Sequence, residues 1–356
     1  MMMATYVSWL QQHYPEVCHD LHSCMHNYST EDLNPYHIES DCWSHTMMVC
    51  KVAEMGKFNK RVQVAALLHD IGKPACREIN PHNNHVRFFG HEGLSAYMSL
   101  EILYTMQRDG LIECEDIPAI FVLISLHALL HKKHSDTDIV RKFRYDIGLY
   151  EDLHALNYCD NMGRFSSSLQ EVQKEIPKEL IEQMSNSESD SHLYEGPKLE
   201  LLVGMSNCGK STYRQKRIDD GFEGVIISRD ALVMKHGRGE SYTECWNSLS
   251  EKEQSDINRE LEVLFDSAVV QKKEIMVDMM NLSRNARAQW IERAEEVYVP
   301  TATVFLTPYN EICSRNEAQR SYKYLDEKIL QDMAKRFVFP LYDEVESITH
   351  IFADNG

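Results

Sequence analysis

The segment Gly204-Met-Ser-Asn-Cys-Gly-Lys-Ser211 constrains the fold more than any other stretch of this chain. It follows a short apolar run and opens a helical pattern, which is the context that such a phosphate-cradling loop needs. Its glycines let backbone N–H groups close on phosphates, and the helix N-terminus adds positive potential. The sequence therefore predicts a site for ATP or another nucleoside triphosphate with Mg²⁺. The predicted contacts are Gly204, Met205, Ser206, Asn207, Cys208, Gly209, Lys210, Ser211 and Thr212, with Lys210 reaching the β and γ phosphates and Ser211 ligating Mg²⁺.

Short apolar runs alternate with helical segments through the second half of the chain. The runs are Leu199 to Val203, Val225 to Ile227, Glu274 to Val277, Thr303 to Leu306 and Ile348 to Phe352. The helical segments include Ser211 to Ile218, Glu251 to Lys272, Asn285 to Glu295 and Tyr309 to Glu317. Strands that alternate with helices predict a parallel sheet covered on both faces, which is an α/β domain.

The first half has a different pattern. From Thr5 to about Gln170, apolar residues recur at spacings of three and four, which predicts an all-α domain. Between residues 171 and 197 the chain turns polar and acidic, as a linker does. We therefore expect a multi-domain protein with a helical domain at 1–172, an acidic linker at 173–197 and an α/β domain at 198–356.

Bulk composition limits the classes of partner. The formal net charge of −18 opposes broad attraction to a polyanion, so any nucleic-acid contact must be local. Candidate basic patches are Arg141, Lys142 and Arg144, and Arg214, Lys216 and Arg217, although such clusters are commonly solvated helix faces. The ten cysteines form no C-x-x-C pair, which argues against a thiolate zinc site. No apolar stretch is long enough to cross a bilayer, and we expect a cytoplasmic protein without a membrane partner.

A carboxylate follows the second predicted strand, in Ser228-Arg229-Asp230. The carboxyl edge of a parallel sheet is where ligands bind, so Asp230 should lie beside the nucleotide. There it can accept the proton of an attacking hydroxyl. The alternative is that Asp230 caps the helix that starts at Ala231.

Three segments of the second half resemble the 5′-hydroxyl polynucleotide kinase family. They are Ile227-Ser-Arg-Asp230, the run from Val277-Asp-Met-Met-Asn-Leu-Ser-Arg to Trp290, and Arg315-Asn316. The resemblance covers residues 198 to 356 and implies that Asp230 is the general base toward a 5′-OH. It also implies that an arginine of the segment 315–320 clamps the donor phosphates. Our choices are Arg315 and Arg320.

The same resemblance makes Arg229, Asp278, Asn281 and Arg287 candidate substrate contacts. Asp278 and Asn281 can instead cap the following helix, and Arg287 can be an ordinary helix residue. One departure stands out, because the family's arginine three residues after the catalytic Asp is Val233 here. The contact to the acceptor phosphate is thus unassigned.

A second signature lies in the helical half. The pair His69-Asp70 ends an apolar run, where a charged group needs a partner. With His45, His91, His127 and Asp160 it resembles the HD phosphohydrolase superfamily, whose six metal ligands these positions match. Imidazole and carboxylate ligands suit Mn, Co, Ni, Fe or Zn, as one ion or as two ions that share Asp70 and activate water. Lys73 and Arg164 are candidate phosphate contacts, with a salt-bridge role as the alternative, which applies more to Arg164 than to Lys73. His131 is a candidate support for a ligand.

The tandem order resembles the bifunctional end-healing enzymes called HD-Pnk. The resemblance implies phosphorylation of 5′-OH ends of RNA or DNA and removal of a 2′,3′-cyclic, 2′ or 3′ phosphate, with a separate ligase as partner. The alternative is a kinase and phosphohydrolase pair for a small nucleotide or metabolite, which the strong acidity favours. The sequence does not decide between RNA and DNA as substrate, or which terminal phosphate is preferred. It also leaves open the identity of the metal, the relative orientation of the domains and the oligomeric state.

Overall fold

The protein is described by a computed structural model, which covers residues 2–27, 38–144, 146–166, 174–186, 196–294 and 297–353. The chain forms two compact units. The first comprises Met1–Asp190 and Ala334–Phe339, and the second comprises Ser191–Met333 and Pro340–Gly356. The linker bounds given above stay a prediction.

The first unit is helical, as predicted. Its helices are α1 (Met2–His13), α2 (Pro15–Ser23), α3 (Cys42–Met55), α4 (Lys60–Leu68), α5 (Lys73–Cys76), α6 (His91–Arg108), α7 (Asp116–Leu126), α8 (Asp136–Phe143), α9 (Ile147–Met162) and α10 (Lys178–Asn186). Side-chain caps fix where several of them begin. Asp41 accepts from Ser44 N at 2.8 Å before α3, and Asn59 accepts from Val62 N at 3.0 Å before α4. Helices α3, α4, α7 and α9 pack around the shared core.

Two features of this unit did not follow from the periodicity. A short antiparallel pair, β1 (Glu78–Ile79) and β2 (Val86–Arg87), lies between α5 and α6. Strands of two residues are too short to give an alternating pattern. In addition, α10 lies inside the predicted linker and packs against α8 and α9, with Leu180 and Met184 buried. The acidic residues 187–195 lie outside the described residues.

The first unit also contains the segment Ala334–Phe339. Phe337 is 3% exposed, and its ring centroid lies 5.1 Å from that of Tyr97 on α6 and 5.4 Å from that of Phe121 on α7. A Cβ at Gly93 would lie 2.4 Å from Ala334 O, so the backbones approach too closely for any other residue. The core of the helical unit is therefore completed by residues far along the chain.

The second unit contains a parallel sheet, as predicted. Its strands are β3 (Lys198–Val203), β4 (Val225–Ile227), β5 (Ile275–Val277), β6 (Val299–Leu306) and β7 (Ser347–Phe352), in the order β4-β5-β3-β6-β7. Its helices are α11 (Lys210–Asp219), α12 (Arg229–His236), α13 (Tyr242–Ser248), α14 (Glu251–Val270), α15 (Arg284–Arg293), α16 (Tyr309–Ala318) and α17 (Glu327–Lys335). All four strand pairings are parallel.

The central strand β3 positions the phosphate loop. Residues Leu199, Leu201, Leu202 and Val203 are fully buried, because helices cover both faces of the sheet. The loop then leaves the carboxyl end of β3 between the ends of its neighbours β5 and β6. The fold class predicted from the sequence is confirmed in both halves.

Membrane insertion is not indicated by the described helices, since none combines the required length with enough apolar character to span a bilayer.

Candidate functional sites

Three helices and the ends of two others bring the predicted metal ligands together in the first unit. His45 lies on α3, His69 and Asp70 follow α4, His91 begins α6, His127 follows α7 and Asp160 lies near the end of α9. Five of the six are at most 3% exposed, and His91 is half-buried. The helical packing thus converts residues spread over more than 100 positions into one cluster.

Asp70 is the centre of this cluster. Its Oδ2 lies 3.2 Å from His69 Nε2 and 3.7 Å from His45 Nε2, while its Oδ1 lies 3.3 Å from His91 Nε2 and 3.9 Å from His127 Nε2. Two triads with metal-ligand spacing follow, and Asp70 belongs to both. They are His45, His69 and Asp70, and Asp70, His91 and His127.

The opposite nitrogen of each imidazole is held by an acceptor. Nδ1 of His69, His91 and His127 lies 3.0, 2.8 and 2.7 Å from the carbonyl oxygens of Ala66, Phe88 and Ile124. These acceptors favour the tautomer in which Nδ1 carries the proton and Nε2 can bind a metal. His45 Nδ1 lies 3.2 Å from a carboxylate oxygen of Glu39 instead.

The inner atoms of the cluster fit a metal. Within the described part of the chain, Asp70 Oδ1 and His69 Nε2 are fully buried and have no well-aligned hydrogen-bond partner. Buried polar atoms without such a partner are costly, and metal coordination would satisfy them. Burial and the neighbouring His91 and His69 hold the pKa of His127 well below its usual value, which favours the neutral imidazole that can bind a metal.

Asp160 joins the cluster through His45, whose Nε2 lies 3.0 Å from its Oδ1. Its other oxygen, Oδ2, lies 2.8 Å from His131 Nε2 and 3.0 Å from Arg164 Nη2. Lys73 Nζ is buried and lies 2.7 Å from Asp70 Oδ2. Lys73 and Arg164 are therefore in the cluster, each bound to a ligand carboxylate.

One residue of this site was missed by the sequence reasoning. Glu39 is 6% exposed and its Oε1 lies 3.2 Å from His45 Nδ1 and 3.9 Å from His26 Nδ1. A buried carboxylate beside a ligand imidazole orients the ring and raises its basicity. The sequence gives no motif for it, because its place depends on a β-bridge between Met25 and Asp41.

In the second unit, the phosphate loop has the backbone that glycine permits. Gly209 has φ +104°, a region that other residues rarely adopt, and it precedes the first turn of α11. A Cβ at Gly204 would lie 2.5 Å from Cys208 Sγ. The loop therefore needs glycine at position 209, and it leads directly into the N-terminus of α11, which favours anions.

Two cations point at this loop. Lys210 Nζ donates to the carbonyl oxygens of Gly204 and Met205, at 2.8 and 2.5 Å, and so occupies the hollow of the loop. Arg315 Nη1 donates to Asn207 O at 3.3 Å, and Arg315 also pairs with Glu311. An anion bound in the loop would meet both side chains.

A cavity of about 1350 Å³ opens in front of the loop. Of the predicted residues it is lined by Ser206, Asn207, Cys208, Gly209, Lys210, Ser211, Thr212, Arg229, Asp230, Asp278 and Arg315. Gly204 and Met205 are not on its wall, and Met205 is fully buried. The cavity therefore brings residues of the phosphate loop together with Asp230 and Asp278.

Asp230 is not a helix cap. Ser228 is the N-cap of α12 and accepts from Ala231 N at 3.4 Å, which leaves the Asp230 carboxylate in the first turn, exposed to the cavity. Asp230 Oδ2 lies 2.5 Å from Lys323 Nζ. Neither Lys323 nor its neighbour Tyr242 has a sequence signal, since 93 residues separate Lys323 from Asp230.

Asp278 and Arg229 also line the cavity, each held by a partner. Arg214 Nη1 donates to Asp278 Oδ2 at 2.6 Å. Burial raises the pKa of Asp278 against the lowering effect of Arg214 and Lys210. The Arg229 guanidinium lies 4.9 Å from the centre of the Trp246 ring. Ser283 caps α15, so neither Asp278 nor Asn281 is its cap.

Besides Gly204 and Met205, three predicted residues do not line the cavity. Asn281 Nδ2 donates to the carbonyl oxygens of Leu202 and Val277, which ties β5 to β3. Arg287 is fully buried and paired with Glu344, so its predicted contact with substrate is replaced by a structural role. Arg320 pairs with Glu317 and does not line the cavity, whereas Gln319 does.

Comparison with known proteins matches each half separately. The HD domain model matches residues 42–152, and the AAA domain model matches residues 199–340. No curated protein matches the sequence. The predicted order, an HD domain followed by a P-loop domain, is confirmed.

Several solved structures resemble parts of the chain. Two chains of Pnkp1/Rnl/Hen1 complexes are 19% and 23% identical, with TM-scores of 0.35 and 0.29 over 41% and 34% of this chain. The first of these is an RNA repair complex. This chain spans less than half of each, 46% and 39%. A gluconokinase from Sinorhizobium meliloti 1021 is 16% identical, with a TM-score of 0.31 over 45% of this chain and 85% of that chain. With TM-scores this low, none of them specifies the activity of this chain.

Proposed function

We propose that this chain, which joins an HD domain to a P-loop AAA domain, heals nucleic-acid ends by phosphorylating a 5′-OH and removing a terminal phosphate from the other end. One observation carries the proposal. The residues expected of two phosphate-handling sites lie together, one set around Asp70 in the first unit and one set between the phosphate loop and Asp230 in the second. Removal of a 2′,3′-cyclic or 2′ phosphate requires a ribose, so we propose RNA as the principal substrate.

At the kinase site, Asp230 accepts the proton of the 5′-OH as its oxygen bonds to the γ phosphorus of ATP. The bond between that phosphorus and the β–γ bridging oxygen breaks, and ADP leaves. Lys210 and Arg315 stabilise the charge on the transferred group. Ser211 would ligate Mg²⁺, which supplies further charge neutralisation when bound. Asp278 holds Arg214 on the cavity wall.

At the HD site, hydrolysis forms a bond from water oxygen to phosphorus and breaks a phosphoester bond. A 2′,3′-cyclic phosphate needs two such steps, the first opening the ring to a monoester and the second releasing inorganic phosphate. Mn, Co, Ni, Fe or Zn ions held by the two triads would lower the pKa of water and polarise the ester. Lys73 and Arg164 hold Asp70 and Asp160 in place and offer positive charge to the phosphate. The sharing of Asp70 by both triads favours two ions over one.

A nucleic-acid acceptor is compatible with the net charge of −18, because the cavity has its own cations. Arg214, Lys216, Arg229 and Lys323 line it, so the positive charge is local. The segment from Asp278 to Trp290 resembles polynucleotide kinases, which supports a nucleic-acid acceptor. The products, a 5′-phosphate and a 3′-hydroxyl, are the ends that a ligase joins, and we propose a separate ligase as the partner.

The proposal is tested with an RNA oligomer that bears a 5′-OH and a 2′,3′-cyclic phosphate, incubated with ATP, Mg²⁺ and Mn²⁺. Both ends of the product are mapped by mass spectrometry. Gain of a 5′-phosphate and loss of the cyclic phosphate are expected. A free nucleoside and a nucleotide serve as controls, since their faster turnover would favour a small-molecule kinase and phosphohydrolase instead. An unchanged oligomer at both ends would refute the proposal.

A further inference from the structure

We propose that Asn316 is a positioning residue, which couples the phosphate loop to residues 319–325 so that binding of ATP orders this part of the cavity wall. The kinetic consequences of this coupling rest on the proposed function, whereas the coupling itself does not. At the proposed kinase site Arg315 lines the cavity and faces the donor. Its neighbour Asn316 does not line the cavity, so it acts on the reaction only through the groups that it holds.

The side-chain amide of Asn316 is buried, and both of its ends are bonded to one residue further along the chain. Asn316 is 3% exposed. Its Nδ2 donates to Leu325 O at 2.9 Å, and its Oδ1 accepts from Leu325 N at 3.1 Å. This reciprocal pair closes the chain between residues 316 and 325. Loss of the amide would leave both backbone groups of Leu325 without these bonds, which is costly at a site shielded from water.

The same amide also reaches the phosphate loop. Asn207 Nδ2 donates to Asn316 Oδ1 at 3.3 Å, and Arg315 Nη1 donates to Asn207 O at 3.3 Å. Two consecutive residues of α16 therefore hold one loop residue, by its side chain and by its backbone. Asn207 has φ +65°, in the left-handed region that residues other than glycine rarely adopt. Such a conformation persists only where surrounding contacts support it.

Residues 319–325 form one part of the cavity wall, through Gln319, Tyr322, Lys323, Tyr324 and Leu325. The segment begins with a turn, in which Tyr322 N and Lys323 N both donate to Gln319 O, at 2.8 and 2.9 Å. Asn316 holds its other end. Lys323 Nζ lies 2.5 Å from Asp230 Oδ2, so the segment also contacts the carboxylate that is proposed to take the proton.

A continuous set of hydrogen bonds thus runs from the phosphate loop through Asn316 to the wall beside Asp230. Because the bonds share one amide, the loop and the wall are restrained together or released together. ATP bound in the loop restricts Asn207, and Asn316 passes this restriction to residues 319–325. Binding of ATP therefore favours the arrangement of the wall in which the acceptor reacts, and the acceptor in turn favours binding of ATP.

The first test measures amide hydrogen exchange of the full chain with and without ATP and Mg²⁺. In the wild type, ATP should slow exchange in the loop at 204–211 and in the wall at 319–325. Asn316→Leu has a similar volume but no amide, so ATP should slow exchange in the loop alone. Asn207→Gly keeps the left-handed backbone and removes only the side-chain donor, and it should weaken the effect on the wall without loss of folding. Asn310→Ala, at an exposed position of α16, is the matched control and should behave as the wild type.

The second test measures phosphorylation of the RNA oligomer. Asn316→Leu should lower kcat by about 10- to 100-fold, the range expected when buried polar groups lose their partner. The Kd for ATP should change little, because Asn316 does not line the cavity. Asn316→Leu combined with Arg315→Ala should lose less than the product of the two single losses, since both changes remove contacts to Asn207.

The outcomes separate this inference from the proposed function. The coupling is overturned if ATP does not slow exchange at 319–325 in the wild type, or if that slowing persists in both Asn316→Leu and Asn207→Gly. Losses of kcat that multiply in the double variant also overturn it, because they indicate independent defects. If the wild type binds ATP but phosphorylates no 5′-OH, the proposed kinase function fails, while the exchange measurement still decides the role of Asn316.

Discussion

Replacement of Arg287 distinguishes a structural role from the substrate contact that the sequence resemblance implies. The Arg287 side chain is fully buried and donates to both Glu344 oxygens, at 2.9 and 3.0 Å. It also donates to the carbonyl oxygens of Asn281 and Leu282, at 3.0 and 3.3 Å. It thus joins the start of α15 to the segment before β7.

The size of the effect follows from what Arg287→Met leaves behind. Glu344 is 5% exposed as a side chain and would lose its bidentate partner, with Arg284 Nη1 still 4.0 Å away. Removing one member of a buried pair costs about 3–5 kcal/mol. At roughly 2–4 °C per kcal/mol for a unit of this size, the midpoint of its unfolding should fall by about 6–20 °C.

The assay measures amide hydrogen exchange at increasing urea concentration or temperature. Exchange is followed in peptides from β3 and β6, so that unfolding of the second unit is measured separately. Arg293→Met is the control on the same helix, since Arg293 pairs with Asp266 at the surface and should cost less than about 1 kcal/mol. Arg287→Met combined with Glu344→Gln should recover much of the loss. Unchanged stability together with a raised KM for the oligonucleotide would refute the structural reasoning and favour a substrate contact.

Two further predictions concern the first unit. Phe337→Ala should destabilise that unit by about 3–5 kcal/mol and speed amide hydrogen exchange in α6 and α7. Val338→Ala, at a position 44% exposed, should change little. Slow exchange in both variants would contradict the placement of this segment in the helical core. His131→Gln should weaken Mn²⁺ binding about 10- to 100-fold by releasing Asp160, with ATP binding unchanged; an unaltered Mn²⁺ titration would show that His131 does not support the ligand.

The sheet and both phosphate sites were predictable because their signals are local. A glycine loop between strand and helix specifies its own backbone, and His69-Asp70 after an apolar run marks a buried charge. The observed strands differ from the predicted ones mainly at their ends. Helix α13 was not predicted, because it is seven residues long and depends on a serine cap more than on periodicity.

Long-range partners were not predictable. Glu39 and Lys323 reach their sites through contacts that no spacing rule encodes. Arg287 was a candidate substrate contact because of the family resemblance, yet it is fully buried and lies three positions before Trp290, which is 5% exposed. That spacing places both residues on one face of the helix. The sequence therefore allowed a buried face there but did not distinguish it from a face that binds substrate.

The central claim is that two independent sites act on the two ends of one strand. It is tested most directly by mapping both ends of the RNA oligomer after incubation with Lys210→Ala, with Asp70→Ala and with the wild type. Lys252→Ala and Asp20→Ala, at exposed helix positions, are matched controls. The account predicts that Lys210→Ala abolishes 5′ phosphorylation and spares removal of the terminal phosphate, and that Asp70→Ala does the reverse. Loss of both activities in either folded variant would contradict it.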